Sequence, residues 1–160
     1  VAIPEQGGGT SAANMHAAYE ALPAATRAKL DKMKTANARV SSARLAIANR
    51  DSVAEQDKLG EPPMIHPLVR THPERGTKAI WFHMGKTETI DDMDPYETQE
   101  FLADLLTEII KPEFTYTHNW RPGDLLIIDN RSALHKAGSD YDPSQHRKLY
   151  RTMTLGERPY

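Results

Sequence analysis

Cysteine is absent from this chain of 160 residues. Its absence excludes disulfides, thiolate metal sites and a cysteine nucleophile, and it fits a reducing compartment. The sequence also lacks an apolar run long enough to span a bilayer, and no signal-peptide pattern opens it. A large excess of one charge is missing too, since the formal net charge is -2. We therefore expect a cytoplasmic protein that binds neither nucleic acid nor membrane.

The composition is that of a globular protein with a single domain over 1–160. Hydrophobic residues make up 39% and charged residues 26% of the chain, and its length allows one sizeable core. The first residues are Val-Ala-Ile-Pro, without a methionine, which predicts a piece of a longer protein. Composition leaves open whether the chain forms a homo-oligomer.

The first third of the chain predicts a turn followed by two helices. The glycine run Gly7–Gly9 marks a turn or a close approach of two backbone segments. Helices are predicted over 11–22 and 24–34, and 35–61 has few large apolar side chains, which predicts a partly helical excursion or a lid. The apolar residues that recur at helical spacing in the first helix are Met15, Ala18, Tyr19 and Leu22.

One long helix is predicted among short strands in the rest of the chain. Two strands are expected within 64–84, on either side of a turn at Pro73–Gly76. The helix is expected over Asp91–Lys111, because Asp94 and Glu97 have the spacing of a capping box and a broad apolar stripe follows them.

Three further strands are expected near the C-terminal end. Residues 114–120 alternate between aromatic or histidine side chains and polar ones, 125–128 read as a buried strand, and 147–154 read as a final strand. Helices early and many short strands late favour an α+β fold with a β-sandwich or jelly-roll core.

His135 follows the predicted buried strand and is a candidate metal ligand. A neutral imidazole held at the mouth of a barrel binds transition metals. A lone histidine with a structural or solvated role is the alternative that this residue by itself leaves open.

Arg147 and Arg151 are candidate anion-binding residues. On a strand their side chains would face the same way, about 13 Å apart at ~3.3 Å per residue. That distance suits two separate anions, each held by a planar guanidinium group. Surface ion pairs are an equally open reading on spacing alone.

These residues lie in stretches that resemble a known family. WRPGDLLIIDNRSALH, followed by RKLYRT, is similar to the C-terminal signature of the taurine dioxygenase / chlorophenoxyacetate dioxygenase family of Fe(II)- and 2-oxoglutarate-dependent oxygenases. GGGTSAANMHAAYEALP and HPLVRTHPERGTKAIWF match the same family in the same order. The resemblance implies a double-stranded β-helix, or jelly roll, with flanking helices.

The family resemblance also implies roles for four residues. His135 resembles the distal histidine of an iron site made by two histidines and one carboxylate. Arg147 and Thr10 resemble the pair that binds the far carboxylate of 2-oxoglutarate, and Arg151 resembles the residue that holds the acidic group of the substrate. The implied cofactors are Fe(II), 2-oxoglutarate as cosubstrate, and O2.

Two features depart from the family pattern. Ile128 stands where family members usually have tryptophan, and Lys86 stands where taurine-specific members carry an aromatic residue.

The family's other two iron ligands sit in a His-x-Asp/Glu motif upstream of the Gly-Gly-x-Thr turn. That motif would precede Val1, so the chain is expected to lack its N-terminal strands. His72-Pro73-Glu74 has this pattern within the chain, but its central proline is poor for converging two side chains.

The expected activity is hydroxylation of a small anionic organic substrate, such as a sulfonate, a sulfate ester or an aryloxy or carboxylic acid, with release of succinate and CO2. The alternatives are a catalytically inactive jelly-roll remnant that binds an organic anion or a protein partner, and a cupin-type isomerase. The isomerase would share the barrel without requiring Arg147 and Arg151, and fold alone does not separate these functions.

Overall fold

The computed structural model describes residues 1–38, 62–156 and 158–160 of the chain. Within these residues the chain forms short strands and three α-helices, with one 3-10 turn at Pro112–Phe114. In chain order the elements are β1 Thr10–Asn14, α1 Met15–Glu20, α2 Ala24–Leu30, β2 Lys34–Asn37, β3 Met64–Pro67, β4 Val69–Thr71, β5 Lys78–Ile80, β6 Thr87–Ile90, α3 Pro95–Ile109, β7 Thr115–His118 and β8 Ala133–Ala137.

The strands of the described residues form three small antiparallel sheets. The first has the order β7-β1-β8, the second β3-β2-β6, and the third is the hairpin β4-β5. The first sheet joins residues from both ends of the chain, because β1 lies between two strands that follow it by about a hundred residues. This central position of β1 places the glycine turn beside the C-terminal segment.

The core lies between the helices and the sheets. It is made of aliphatic and aromatic side chains between Ala13 and Ile109, with Phe114 and Leu134 packed partly against it, and their burial is the main favourable contribution to folding. The largest fully buried apolar side chains are Met15, Leu30, Leu68, Ile80, Ile90, Leu102 and Ile109.

Helix α3 has the capping predicted for it. The Asp94 side chain accepts hydrogen bonds from the backbone N–H groups of Tyr96 and Glu97, and the Glu97 side chain accepts one from the backbone N–H of Asp94. Leu102 and Ile109 are buried on its inner face, as the apolar stripe predicts. The structure confirms the helix and shortens its predicted span to Pro95–Ile109.

The helix predicted over 11–22 is wrong in its first part. Residues Thr10–Asn14 form β1, and α1 begins only at Met15, with the Asn14 side chain accepting a hydrogen bond from the backbone N–H of Ala17. The strand prevails because it has a partner on each side, which local spacing does not reveal. The predicted apolar face itself is confirmed, since Met15, Ala18, Tyr19 and Leu22 are all buried.

The second helix and the excursion after it also need correction. Helix α2 ends at Leu30 rather than at 34, and residues 35–37 belong to β2, where Thr35 is fully buried. The rest of the predicted lid, 39–61, lies outside the described residues. The hairpin around Pro73–Gly76 is confirmed, because β4 and β5 pair in antiparallel fashion across that turn.

The two C-terminal strands predicted from apolar pattern are absent from the structure. Residues 125–128 form no strand, and Leu125 and Ile127 are 84% and 85% exposed. Residues 147–154 have one isolated bridge, between Lys148 and Ala2. A strand requires a neighbour that shares its backbone hydrogen bonds over several residues. Among the described residues, 125–128 have no such neighbour and 147–154 have one only at the bridge of Lys148 to Ala2. The strand predicted over 114–120 is confirmed as Thr115–His118, between a 3-10 turn and a loop.

Candidate functional site

The sheet β7-β1-β8 has one face on the core and one face open. Ala13 of β1 is buried, and its cross-strand partner Leu134 of β8 packs against the core. Because side chains alternate along a strand, Thr10, His118 and His135 belong to the opposite face. This open face therefore carries two of the residues expected to bind ligands.

The glycine turn before β1 is held by the segment that follows β8. Gly138 donates its backbone N–H to the Gly9 carbonyl at 2.7 Å, and Gly8 donates its own to Asp140 Oδ1 at 3.0 Å. Gly7 has a φ of +72°, and a Cβ there would collide with the backbone carbonyl of Asp140. The close approach predicted for Gly7–Gly9 is thus confirmed, and it explains the need for glycine.

Arg147 and Thr10 meet beside this turn. The Nε–H group of Arg147 donates to the Gly8 carbonyl at 2.7 Å, and its Nη2 lies 3.4 Å from both the Gly9 carbonyl and the Thr10 hydroxyl oxygen. The bridge between Lys148 and Ala2 holds this segment in place. Two residues that are far apart in sequence therefore present a guanidinium group and a hydroxyl group at one point, a combination suited to an anion.

Trp120 is a third member of this group that the sequence interpretation missed. Its indole N–H donates to the Thr10 hydroxyl oxygen at 2.9 Å. The ring of His118 packs edge-on against the indole, with centroids 4.7 Å apart. The signal was present in the alternation of residues 114–120, which places His118 and Trp120 on the same side of the chain as the open face.

His135 lies within β8, rather than after a buried strand as expected. Its cross-strand partner is Ala12, so Thr10 is its diagonal neighbour on the same face, at about 7–8 Å. Its side chain reaches solvent, yet partial burial, and then the charge of Arg151, lower the pKa of His135. Both effects favour the neutral imidazole, which is the form that binds metal ions.

Arg151 is exposed and lies on the His135 side of the site. Its guanidinium group contacts the sulfur of Met153. The premise that Arg147 and Arg151 share one strand is wrong, because no strand forms there. The two guanidinium groups nevertheless lie in different surroundings, Arg147 against the glycine turn and Arg151 near the imidazole.

The iron site expected from the family resemblance is incomplete in the described residues. Across 1–38, 62–156 and 158–160, no group of three His, Asp or Glu side chains is placed to hold a metal ion. His135 is thus a single candidate ligand where such a centre needs three.

His72 and Glu74 serve a different purpose from metal binding. His72 is 4% exposed, its Nε2–H donates to Asp129 Oδ2 at 2.9 Å, and its Nδ1 accepts from the backbone N–H of Arg75. Arg131 joins the group by binding Asp129 through two nitrogens and Glu74 through a third. The Arg131 guanidinium holds the pKa of Asp129 well below its usual range. This network ties the hairpin turn to the Asp-Asn-Arg segment.

A cavity of about 200 Å³ lies on the other side of this network. Its lining includes the guanidinium-bearing residues Arg70, Arg131 and Arg158, together with Glu74. None of the four expected site residues lines it, and the guanidinium of Arg131 is already engaged by Asp129 and Glu74. The cavity is therefore separate from the open face of the sheet.

A comparison with protein-family models gives one match that spans almost the whole chain. The family described as "Taurine catabolism dioxygenase TauD, TfdA family" matches residues 1–153. The chain belongs to the TauD/TfdA family. The resemblance carried by the glycine turn, the Asp-Asn-Arg segment and the two arginines is thereby confirmed.

Two relatives are named as dioxygenases that depend on alpha-ketoglutarate, which is 2-oxoglutarate. The chain is 35% identical to the alpha-ketoglutarate-dependent 2,4-dichlorophenoxyacetate dioxygenase of Cupriavidus pinatubonensis over 98% of its length, covering 53% of that protein. It is 30% identical to the (S)-phenoxypropionate/alpha-ketoglutarate-dioxygenase of Sphingobium herbicidovorans over 97% of its length, covering 55% of that protein.

A solved structure agrees with this assignment. The crystal structure of AAD-2 in complex with Mn(II) and N-oxalylglycine superimposes with a TM-score of 0.77 and 31% sequence identity, covering 91% of this chain and 56% of AAD-2. The chain thus spans about half the length of the curated and solved relatives it matches. Among the described residues, none of the helices has the length and apolar character needed to cross a membrane.

Proposed function

We propose that this chain forms the 2-oxoglutarate-binding part of an Fe(II)- and 2-oxoglutarate-dependent dioxygenase with a double-stranded β-helix fold. In this proposal Thr10 and Arg147 bind the far carboxylate of 2-oxoglutarate, His135 is one iron ligand, and Arg151 binds the acidic group of the substrate. The observation that carries it is the meeting of Arg147 with the Thr10 hydroxyl on the sheet that also bears His135.

The Arg147 guanidinium is held so that part of it remains available to a ligand. Its Nε–H is used by the Gly8 carbonyl and one Nη2 position by the glycine turn, which fixes the plane of the group. The Nη1–H groups make no hydrogen bond within the described residues and can donate to an oxygen of a ligand carboxylate. A rigid guanidinium beside a hydroxyl supports the binding of a carboxylate at this end of the site.

The distance to His135 supports a dicarboxylate rather than a simple acid. His135 and Thr10 are diagonal neighbours at about 7–8 Å, on one face of one sheet. A ligand that reaches from the Thr10 hydroxyl toward the imidazole needs a polar group at each end, as 2-oxoglutarate has. In the complete enzyme, bound iron would supply oxygen activation, while the protein residues position the reactants.

The substrate proposal rests on Arg151 and on the names of the relatives. Arg151 is an exposed cation near His135, and it offers a fork suited to a carboxylate, sulfonate or sulfate group. The two relatives named above act on aryloxy acids according to their names. We propose a small anionic organic substrate, with aryloxy acids to be tested before sulfonates and sulfate esters.

A second function is favoured by the incomplete metal site. Because the described residues place no group of three potential ligands together, a catalytically inactive module that binds an organic anion fits the same geometry. In that case Thr10 and Arg147 would still bind a carboxylate, and His135 would have no metal.

Anaerobic titration of a complete protein that contains this chain with Fe(II) and 2-oxoglutarate tests the proposal. The dioxygenase predicts a visible charge-transfer band from the iron chelate, with the intact mass of the polypeptide recorded on the same sample. His135→Gln should abolish the band, whereas His146→Gln, a matched change at an exposed histidine outside the site, should leave it unchanged. Absence of the band in the unaltered protein, with 2-oxoglutarate still bound, would favour the inactive module.

A further inference from the structure

The hydroxyl oxygen of Thr10 accepts hydrogen bonds from two directions. The indole N–H of Trp120 donates to it at 2.9 Å, and Nη2 of Arg147 approaches it at 3.4 Å. Thr10 is itself 9% exposed, so the bulk of its surroundings is protein. A threonine hydroxyl has two acceptor lone pairs and one O–H donor. Both acceptor positions are therefore directed toward N–H groups of the protein.

The hydrogen of this hydroxyl is the part that stays available. Within the described residues, Thr10 Oγ1 takes part in hydrogen bonds as the acceptor from Trp120 and from Arg147. With its lone pairs occupied, the group must act as a donor toward a ligand. Its rotation is restricted before the ligand arrives, which lowers the entropy cost of binding.

Trp120 is itself held in position by its neighbours. His118, directly opposite Thr10 in the β1-β7 pair, packs its ring edge-on against the indole. The other side of His118 is fixed because its Nε2 lies 3.0 Å from Asp124 Oδ2, and that oxygen also accepts the backbone N–H of Arg121. These contacts hold the loop after β7 so that the indole N–H group of Trp120 points to Thr10.

We propose that Trp120 is a positioning residue that makes Thr10 a hydrogen-bond donor, and that it thereby selects a carboxylate at the far end of the cosubstrate. This inference rests on the proposed function, because it concerns the same 2-oxoglutarate subsite. With Thr10 and Arg147 both donating, a carboxylate satisfies every group, since an ionised carboxylate only accepts. A carboxamide brings an NH2 group that meets donors, and a buried donor without a partner weakens binding.

Binding of three ligands to the metal-free protein tests this inference. The probes are 2-oxoglutarate, 2-oxoglutaramate, whose far carboxylate is an amide, and 2-oxobutyrate, which lacks the far carboxylate. Trp120→Phe retains a ring against His118 but removes the N–H group. We expect its affinity for 2-oxoglutarate to fall about three- to tenfold, the net value of one hydrogen bond between neutral groups. Its preference for 2-oxoglutarate over 2-oxoglutaramate should fall with it, and its affinity for 2-oxobutyrate should not change.

Matched variants separate positioning from a general loss of structure. Trp81→Phe makes the same chemical change at the other tryptophan, which packs on His66, and should leave all three affinities unchanged. In a Thr10→Val background, Trp120→Phe should have no further effect, because its action passes through the missing hydroxyl. Nuclear magnetic resonance gives a second measurement that does not depend on altering Trp120. The indole N–H resonance of Trp120 should shift in the Thr10→Val variant.

The failures of the two proposals are distinguishable. Unaltered protein that binds no 2-oxoglutarate overturns the proposed function and this inference together. Unaltered protein that binds 2-oxoglutarate, while Trp120→Phe binds it equally well, overturns the role of Trp120 alone. Additive effects of Thr10→Val and Trp120→Phe would also overturn it.

Discussion

Arg147 and Arg151 differ in how firmly the protein holds them. Arg147 is fixed against the carbonyls of the glycine turn, whereas Arg151 is exposed and contacts only the sulfur of Met153 within the described residues. A fixed guanidinium suits a cosubstrate that is the same in every turnover. An exposed guanidinium suits a substrate that enters after the cosubstrate has bound.

The first prediction separates these two arginines. Arg147→Ala should weaken 2-oxoglutarate binding by about 10- to 100-fold, because it removes a hydrogen-bonded charge partner. Arg151→Ala should chiefly weaken binding of the anionic substrate. Equilibrium titration of both variants with both ligands measures this, and equal effects of the two changes on both ligands would contradict the assignment.

The contacts of Asp129, which lie away from the ligand site, predict that its removal lowers the free energy of unfolding. Asp129→Ala removes the acceptor of the buried His72 ring and the partner of Arg131. The free energy of unfolding should fall by about 1–3 kcal/mol, because the buried imidazole N–H is left unsatisfied. Urea unfolding measures the difference, with Asp92→Ala as an exposed control expected to change it by less than about 0.5 kcal/mol. A loss no larger than that of the control would show that His72 finds another acceptor.

The same carboxylate predicts a dependence on acid. Hydrogen bonds from Arg131 hold the pKa of Asp129 below its ordinary value. Its contribution to stability is therefore fully present above the pKa of the unfolded chain, about 4, and is lost as the pH falls through the lower pKa of the folded protein. Unfolding free energies measured from pH 6 downward should decline less steeply for Asp129→Asn than for the unaltered protein. Parallel declines would remove Asp129 as the cause.

At the scale of the element, the glycine turn connects Arg147 to Thr10. It places the Gly8 and Gly9 carbonyls under Arg147 and leads directly into β1, whose first residue is Thr10. Its shape depends on the segment 138–140 packing against it. Any change that separates these segments should affect the ligand as well as the fold.

Gly7→Ala and Gly76→Ala form a matched pair that tests the turn. Both glycines have a positive φ, +72° and +67°, so alanine is strained by about 1–2 kcal/mol at either position. A Cβ on Gly7 would also meet the carbonyl of Asp140, whereas one on Gly76 would meet nothing within 4 Å. Gly7→Ala should thus cost more unfolding free energy and weaken 2-oxoglutarate binding. Gly76→Ala should leave that affinity unchanged, and equal costs with equal affinities would disprove the close approach.

Elements whose causes are local were predicted well from sequence. Helix α3 has its capping residues and its apolar stripe within one stretch, so nothing distant was needed to recognise it. Strand β1 was taken for the start of a helix, because its strand character depends on β7 and β8. Thr10 and Arg147, which were expected to act as a pair, lie beside each other in the structure, and their role stays a prediction. Trp120 was missed because its partner Thr10 is 110 residues away.

At the scale of the whole molecule, apolar side chains are exposed where strands were expected. The exposed apolar side chains of these C-terminal segments are Leu125, Ile127, Tyr150, Met153 and Leu155. Among the described residues, the one backbone partner of these two segments is the bridge of Lys148 to Ala2.

The last prediction concerns this exposed surface. Backbone amides of 125–128 should exchange hydrogen rapidly, while those of β1 and β8 should be protected, since only the latter are paired. Ile127→Ser should reduce binding of an apolar dye and change the unfolding free energy by less than about 0.5 kcal/mol. Leu102→Ala, in the core, should cost about 2–5 kcal/mol by contrast. Slow exchange at 125–128 in the isolated chain would show that these residues have a strand partner after all.

The sequence alone determined the family, the long helix, the hairpin and the identity of the candidate ligand residues. Each of these depends on residues that are close together in the chain, or on a motif with a fixed spacing. Tertiary structure decided which strands formed and which side chains met. Strand pairing requires a neighbour, and Thr10, Trp120 and Arg147 come together only because β1 lies between β7 and β8 with the C-terminal segment folded against the glycine turn.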